Sequence, residues 1–267
     1  MRRRGAGYHQ SAVCESAAIG RHATMPALAV ESRPVPDAAV PIHLRPTAPL
    51  AERVLLPGDP GRALALAQSL LQAPRMFNHH RGLWGYTGTA GDGQPLTIQA
   101  TGMGGPSAAI VLSELIALGV VRAIRVGTCG ALAHGVALGE LVIAREAICA
   151  DGTSRALGAG ERVAADAGLT DALASRAPAA RLGTVVSVDL FYETETSERA
   201  SHADAVAVEM EAAALFAVGA AAGVPVACVL AVSDTFDARG MRTRIDDGPL
   251  LGAAESMGRT AIAALTP

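Results

Sequence analysis

The chain has 267 residues, 50% of them hydrophobic and 18% charged, enough to bury a substantial core and too apolar for a disordered polymer. A net charge of -3 and 3% aromatic content give no basis for an extended nucleic-acid surface, and no apolar run approaches the roughly 20 residues that span a bilayer. All 22 cationic side chains are arginine, which excludes a lysine Schiff base and a Walker-type P-loop and leaves arginine forks and backbone N–H groups to bind any anion.

Residues 1–40 are rich in Ala, Pro, Ser and charge without periodicity, and read as a disordered N-terminal extension. Arg2, Arg3 and Arg4 have no sustained apolar stretch behind them, so a signal peptide is not expected, and Met25 offers a second start. One domain is expected over 41–267. Residues 53–56 form a short apolar run closed by Pro57 and Gly58, and 63–71 have helical composition, giving strand, tight loop and helix. Residues 96–100 read as a strand, followed by a glycine-rich turn at 102–105, with Pro106 at the first position of a helix over 108–118. Further strands are expected over 121–126, 141–144 and 185–188. An Ala-rich helix over 209–223, a buried strand over 226–232 and a closing helix over 250–265 complete the pattern. This alternation predicts an α/β fold with a largely buried sheet, and the polar motifs fall just after strands, where open α/β sheets place their ligands.

Cys14, Cys129, Cys149 and Cys228 are widely spaced, without a CxxC pair, which argues against a zinc site or disulfide scaffold and fits a reduced cytosol. No His or Asp motif accompanies Cys129, so it is not expected to act as a nucleophile. His79 and His80 are adjacent, and side chains at i and i+1 diverge; solvated histidines are expected there, not metal ligands.

Several polar residues stand out at strand ends. Gly58 and Arg62, in Leu56-Pro57-Gly58-Asp59-Pro60-Gly61-Arg62, can bring backbone N–H groups and a guanidinium to an anion, though the same run suits an ordinary surface turn. Arg125, ending an apolar strand before Gly127-Thr128-Cys129-Gly130, needs an anionic partner, either a structural carboxylate or a bound anion. Glu209 and Glu211 flank Met210 at a helix start, where carboxylates complement the dipole, but where one could also accept two hydroxyl protons of a sugar diol. Asp234, after Ser233 at the end of a buried strand, either caps the next segment or is a functional acid; at neutral pH the second role would need burial to raise its pKa from the reference value of about 3.9.

In this order, with Asn78-His79-His80-Arg81-Gly82 and Gly102-Met103-Gly104-Gly105-Pro106-Ser107, these segments resemble the type I nucleoside phosphorylase family over about residues 40 to 236. The similarity is greatest to its purine-specific, hexameric bacterial branch. It implies a single-domain, three-layer fold with a central mixed β-sheet flanked by helices, and reversible phosphorolysis of purine (deoxy)ribonucleosides to base and (deoxy)ribose 1-phosphate. It further implies that Gly58, Arg62, Arg125 and Thr128 bind phosphate, with Arg81 from a neighbouring subunit. Glu211, Met103 and Met210 would hold the ribose, with His43 reaching the 5′-hydroxyl from that neighbour. Phe191, Glu209, Ser233 and Asp234 would face the base, Asp234 as the acid. Phosphate would be a co-substrate, with no metal or organic cofactor, and the expected assembly is a cytoplasmic homohexamer of three dimers that binds neither nucleic acid nor membrane.

The resemblance has gaps. The family's helix arginine after the aspartate has no clean match, and Arg239, Arg242 and Arg244 compete for its place. Thr128 resembles the uridine-cleaving branch, whose Gln-x-Arg base-reading motif is nevertheless absent from 191–199. Besides a uridine phosphorylase, the pattern leaves room for a nucleosidase of 5′-methylthioadenosine or S-adenosylhomocysteine, or for a non-catalytic nucleoside-binding module.

Overall fold

The computed structural model describes residues 41–192, 204–237 and 240–266, all within the unit Ser32–Pro267. The extension expected over 1–40 lies outside the described residues, as does Arg239. In chain order the elements are β1 (Arg53–Leu56), α1 (Pro60–Leu70), β2 (Leu71–Asn78), β3 (Gly85–Ala90), β4 (Pro95–Gln99), α2 (Gly105–Ala117), β5 (Arg122–Ala131) and β6 (Leu141–Cys149). They continue with α3 (Gly152–Ala156), β7 (Arg162–Ala164), α4 (Ala167–Arg176), β8 (Arg181–Ser187), β9 (Ala205–Glu209), α5 (Ala212–Ala222), β10 (Val226–Phe236), β11 (Arg242–Arg244) and α6 (Asp247–Leu265).

The strands form one mixed sheet in the order β11-β10-β6-β8-β9-β5-β1-β4-β3-β2, with β7 beside β6. Because β10 also pairs in parallel with β5, the strands β10, β6, β8, β9 and β5 close a ring, and β1, β4, β3 and β2 extend from it. β10 explains how the layers form. Val226, Cys228, Leu230 and Val232 enter one apolar cluster with α2 and α5, while Ala227, Val229 and Ala231 enter the other with α1, α4 and α6. Successive side chains of a strand face opposite sides, so a strand apolar at every position is buried on both.

The expected α/β class and the strands at 53–56, 96–100 and 141–144 are present. Three boundaries are corrected. The strand expected over 121–126 does not end there: β5 continues to Ala131, because Gly130 and Ala131 find partners on β9 and Gly130 pairs again with β10. β10 likewise runs past Ser233 and Asp234 to Phe236, joined by β11. Glu209 closes strand β9, and helix α5 begins only at Ala212. β2 has no counterpart in the sequence expectations. It is the edge strand at the far end of the sheet, bulged between Gln72 and Arg75, with Ala73 at φ 47° and Pro74 tolerated where no inner partner needs its missing N–H. Among the described residues no helix is long and apolar enough to cross a membrane.

Candidate active site

A cleft of about 910 Å³ collects turns and strand ends that are far apart in the chain. Gly58 and Arg62 both line it. Gly102 donates its N–H to the Gly58 carbonyl at 3.0 Å, and a Cβ on Gly58 would sit 3.3 Å from the Gly102 carbonyl oxygen, so the two glycine turns approach backbone to backbone. Asp59 caps α1 by accepting from the Arg62 N–H at 2.6 Å, which fixes Arg62 in the first turn. Burial lowers the Arg62 pKa; Asp59 opposes this, and the positive charges of Arg125 and Arg244 add to it. Arg62 and Arg125 both line the cleft, so an anion entering it can meet two guanidinium groups.

Arg125 answers the question left open by the sequence. It meets structural carboxylates and still keeps a free donor. Its Nε donates to Glu209 at 3.0 Å and its Nη2 pairs with Glu211, while Nη1 is buried without a hydrogen-bond partner among the described residues. Desolvation opposes its charge, but Glu211 and Glu209 outweigh it and push the pKa above the ordinary arginine value. The guanidinium folds back over Gly127, two residues on and on the same strand face, where a Cβ would come within 2.7 Å of both Cζ and Nη2. Gly127→Ala is therefore expected to force Arg125 off Glu211 and lower stability by about 1–3 kcal/mol. A wild-type urea midpoint would show that the guanidinium gives way without cost.

The two glutamates differ in what they have left to offer. Both Glu209 oxygens are taken up: they accept from the Ser187 hydroxyl, from Arg125, and from the backbone N–H groups of Glu211 and Ala212 at 2.9 Å. Glu209 thus caps α5 from the end of β9. Glu209 also lines the cleft, so its carboxylate ties α5 to the site. Glu211 accepts from the Gly104 N–H at 2.6 Å with one oxygen and from Arg125 with the other. Gly104 is the N-cap of α2 at φ 84°, so this carboxylate joins the starts of two helices while lining the cleft. Met210 lines the cleft beside it, as does Met103, which is 87% exposed.

The register between β10 and β5 shifts between Val232 and Asp234, which re-aims Ser233 and Asp234. Both are buried and line the cleft. The Ser233 hydroxyl donates to Asp234 Oδ2 at 2.6 Å, and Arg244, opposite Asp234 on β11, donates from 3.3 Å. Arg242, two residues earlier on the same strand, has its Nε 4.0 Å from Asp234 Oδ1. Its guanidinium lies 4.4 Å from the Phe191 ring centre and 5.6 Å from that of Phe236. Phe191 is not a core aromatic: it is 44% exposed and lines the cleft. Of the three competing arginines, Arg242 and Arg244 therefore both reach Asp234. The alternation Arg-Thr-Arg, which puts both on one strand face, was the available signal. Phe236, also two residues from Asp234, was missed although the same period of two points to it.

Thr128, on β5, lines the cleft next to Cys129. Burial, reinforced by Glu209, raises the Cys129 pKa far above its usual value; such a thiol stays protonated and unreactive. Arg81 stands at the exposed rim at φ 58°, a left-handed conformation that costs a non-glycine residue about 1–3 kcal/mol. His43 does not line the cleft of its own chain; its ring is bound to Glu114 on α2.

Arg62, Arg125, Glu211 and the buried Ser233–Asp234 pair line one cleft, the equipment of an enzyme acting on a small polar substrate. The sequence model of the phosphorylase superfamily matches residues 52–263, and the chain belongs to that family. It is 37% identical over 201 residues to the DeoD-type purine nucleoside phosphorylase of Geobacillus kaustophilus, covering 70% of this chain and 83% of that one. With the DeoD-type enzyme of Bacillus cereus strain ZK the identity is 40% over 195 residues, covering 69% and 82%. Among solved structures, uridine phosphorylase from Vibrio fischeri superposes with a TM-score of 0.72 at 25% identity, covering 81% of this chain and 91% of that one.

Proposed function

We propose that this chain is a purine nucleoside phosphorylase, a pentosyltransferase that reversibly cleaves purine (deoxy)ribonucleosides with inorganic phosphate to free base and (deoxy)ribose 1-phosphate. The observation that carries this is one cleft lined both by Arg125, with its unpartnered buried Nη1, and by the buried Ser233–Asp234 pair. Gly58, Arg62, Arg125 and Thr128 hold phosphate under the sugar. Glu211 accepts hydrogen bonds from the 2′- and 3′-hydroxyls, with Met103 and Met210 against the ring face. Phe191 packs on the base, and Asp234, set by Ser233, donates a proton to N7 as the C1′–N9 bond breaks and the C1′–O bond to phosphate forms. The transition state is oxocarbenium-like, and proximity of the bound phosphate supplies much of the rate. No metal or organic cofactor takes part.

His43 lies outside its own cleft and Arg81 at the rim, which fits a neighbouring copy using both; a dimer is then the smallest competent unit and a hexamer of three dimers the expected assembly. Free, buried Cys129, Cys149 and Cys228 fit work in a reducing cytoplasm, where released bases would enter salvage. Uridine phosphorolysis is the second reading, favoured by Thr128 and by the likeness to the Vibrio fischeri uridine phosphorylase.

A panel of purine and pyrimidine nucleosides, run with and without phosphate, tests this. Purine cleavage only with phosphate, yielding ribose 1-phosphate, is expected. Equal turnover in phosphate-free buffer, releasing free ribose, would identify a nucleosidase instead.

A further inference from the structure

Glu114, on α2, makes a set of contacts that plays no part in the cleft described above. Its carboxylate accepts backbone N–H bonds from Ile42 and His43 at 3.0 Å and from Leu44 at 2.7 Å, and its Oε1 lies 2.7 Å from His43 Nδ1. One side chain thus holds both the backbone and the ring of His43. Partial burial opposes the carboxylate charge, but the His43 ring and the three backbone N–H groups outweigh it and hold the Glu114 pKa below its ordinary value. An ionised carboxylate can only accept, so in the neutral imidazole the proton must sit on Nδ1. Nε2 is then a lone-pair acceptor, and it has no hydrogen-bond partner among the described residues. Ile42 beside it and Ile110, one helical turn before Glu114, are 69% and 39% exposed, apolar surface of the kind that a second copy of the chain would cover.

We propose that Glu114 is a positioning residue: it orients His43 and keeps the ring proton on Nδ1, so that Nε2 accepts a hydrogen bond from the 5′-hydroxyl of a nucleoside bound to a second copy of this chain. This rests on the reading above in taking His43 to act across a subunit boundary. Glu114→Gln keeps the size of the side chain but replaces one acceptor oxygen by a donor, so it cannot satisfy all four contacts.

The test compares inosine with 5′-deoxyinosine for the wild type, Glu114→Gln, His43→Ala and the double variant. Each single change should lower kcat/KM for inosine by about tenfold, chiefly through KM, as expected for one lost hydrogen bond. It should change 5′-deoxyinosine little, and the double variant should be no worse than His43→Ala. Equal losses on both substrates, or losses that multiply in the double variant, would overturn the proposal. Imidazole ¹⁵N shifts of the wild-type assembly give a second measure that survives a poorly folding variant: an Nδ1–H tautomer of His43 supports the proposal and an Nε2–H tautomer refutes it. Absence of any nucleoside cleavage by the wild type would instead overturn the functional reading, and with it the 5′-hydroxyl assignment, while the ring shifts would still decide whether Glu114 sets the tautomer.

Discussion

Arg125→Ala is expected to lower stability by about 3–5 kcal/mol, because it strips two buried carboxylates of their shared cation. The loss should be larger than for Arg62→Ala, since the capping bond at Arg62 is made by its backbone N–H and survives the substitution. Any folded Arg125→Ala protein should lose phosphate affinity strongly and nucleoside affinity less, as a charge-assisted contact is worth about 1.5–3 kcal/mol. Urea denaturation and phosphate KM measure the two effects. Adding Glu211→Gln to Arg125→Ala should recover part of the stability, because one of the stranded charges is then gone. An unaltered urea midpoint for Arg125→Ala would refute the buried ion triad as the framework of this site.

Asp234→Asn is the second large effect. General acid catalysis contributes typically about 10²–10⁴-fold, and cleavage of inosine and guanosine should slow by that range. The amide is close to isosteric, and Ser233 and Arg244 can still meet its oxygen, so stability should fall much less than activity. Adenosine should suffer less, because an amide oxygen still accepts a hydrogen bond from the 6-amino group. Steady-state rates on the three purines decide the point, with uridine as the control, since a pyrimidine has no N7. Wild-type uridine turnover equal to that of the best purine would make this a uridine phosphorylase.

The sequence revealed those parts of the molecule whose physics is local. The run Arg53–Leu56 and the strand beginning at Val226 are apolar and closed by Pro or Gly signals, so they could be placed. Gly58, Arg62, Arg125, Thr128, Glu211, Ser233 and Asp234 could be named, and all line one cleft. What stayed hidden depends on pairing between distant segments. β5 and β10 outrun their apolar stretches because β9 and β11 come to meet them. Glu209 looked like a residue of the first helical turn, since nothing local says that a strand carboxylate will reach forward to cap the next helix. The edge strand β2, with five consecutive exposed residues, has neither alternation nor a buried run to betray it.

The contact of one guanidinium with both Glu209 and Glu211 also bears on how ligands bind. In the proposed reaction Arg125 serves phosphate and Glu211 serves the sugar, yet the two side chains are each other's partners. An anion arriving at Arg125 competes for its charge and leaves the Glu211 carboxylate more available to hydroxyl protons. Thermodynamic linkage makes this reciprocal: the factor by which phosphate changes nucleoside affinity must equal the factor by which nucleoside changes phosphate affinity. The order in which the two substrates bind then alters rates but not the closed cycle of affinities, and a change at Glu211 should be felt in phosphate titrations although it never touches phosphate.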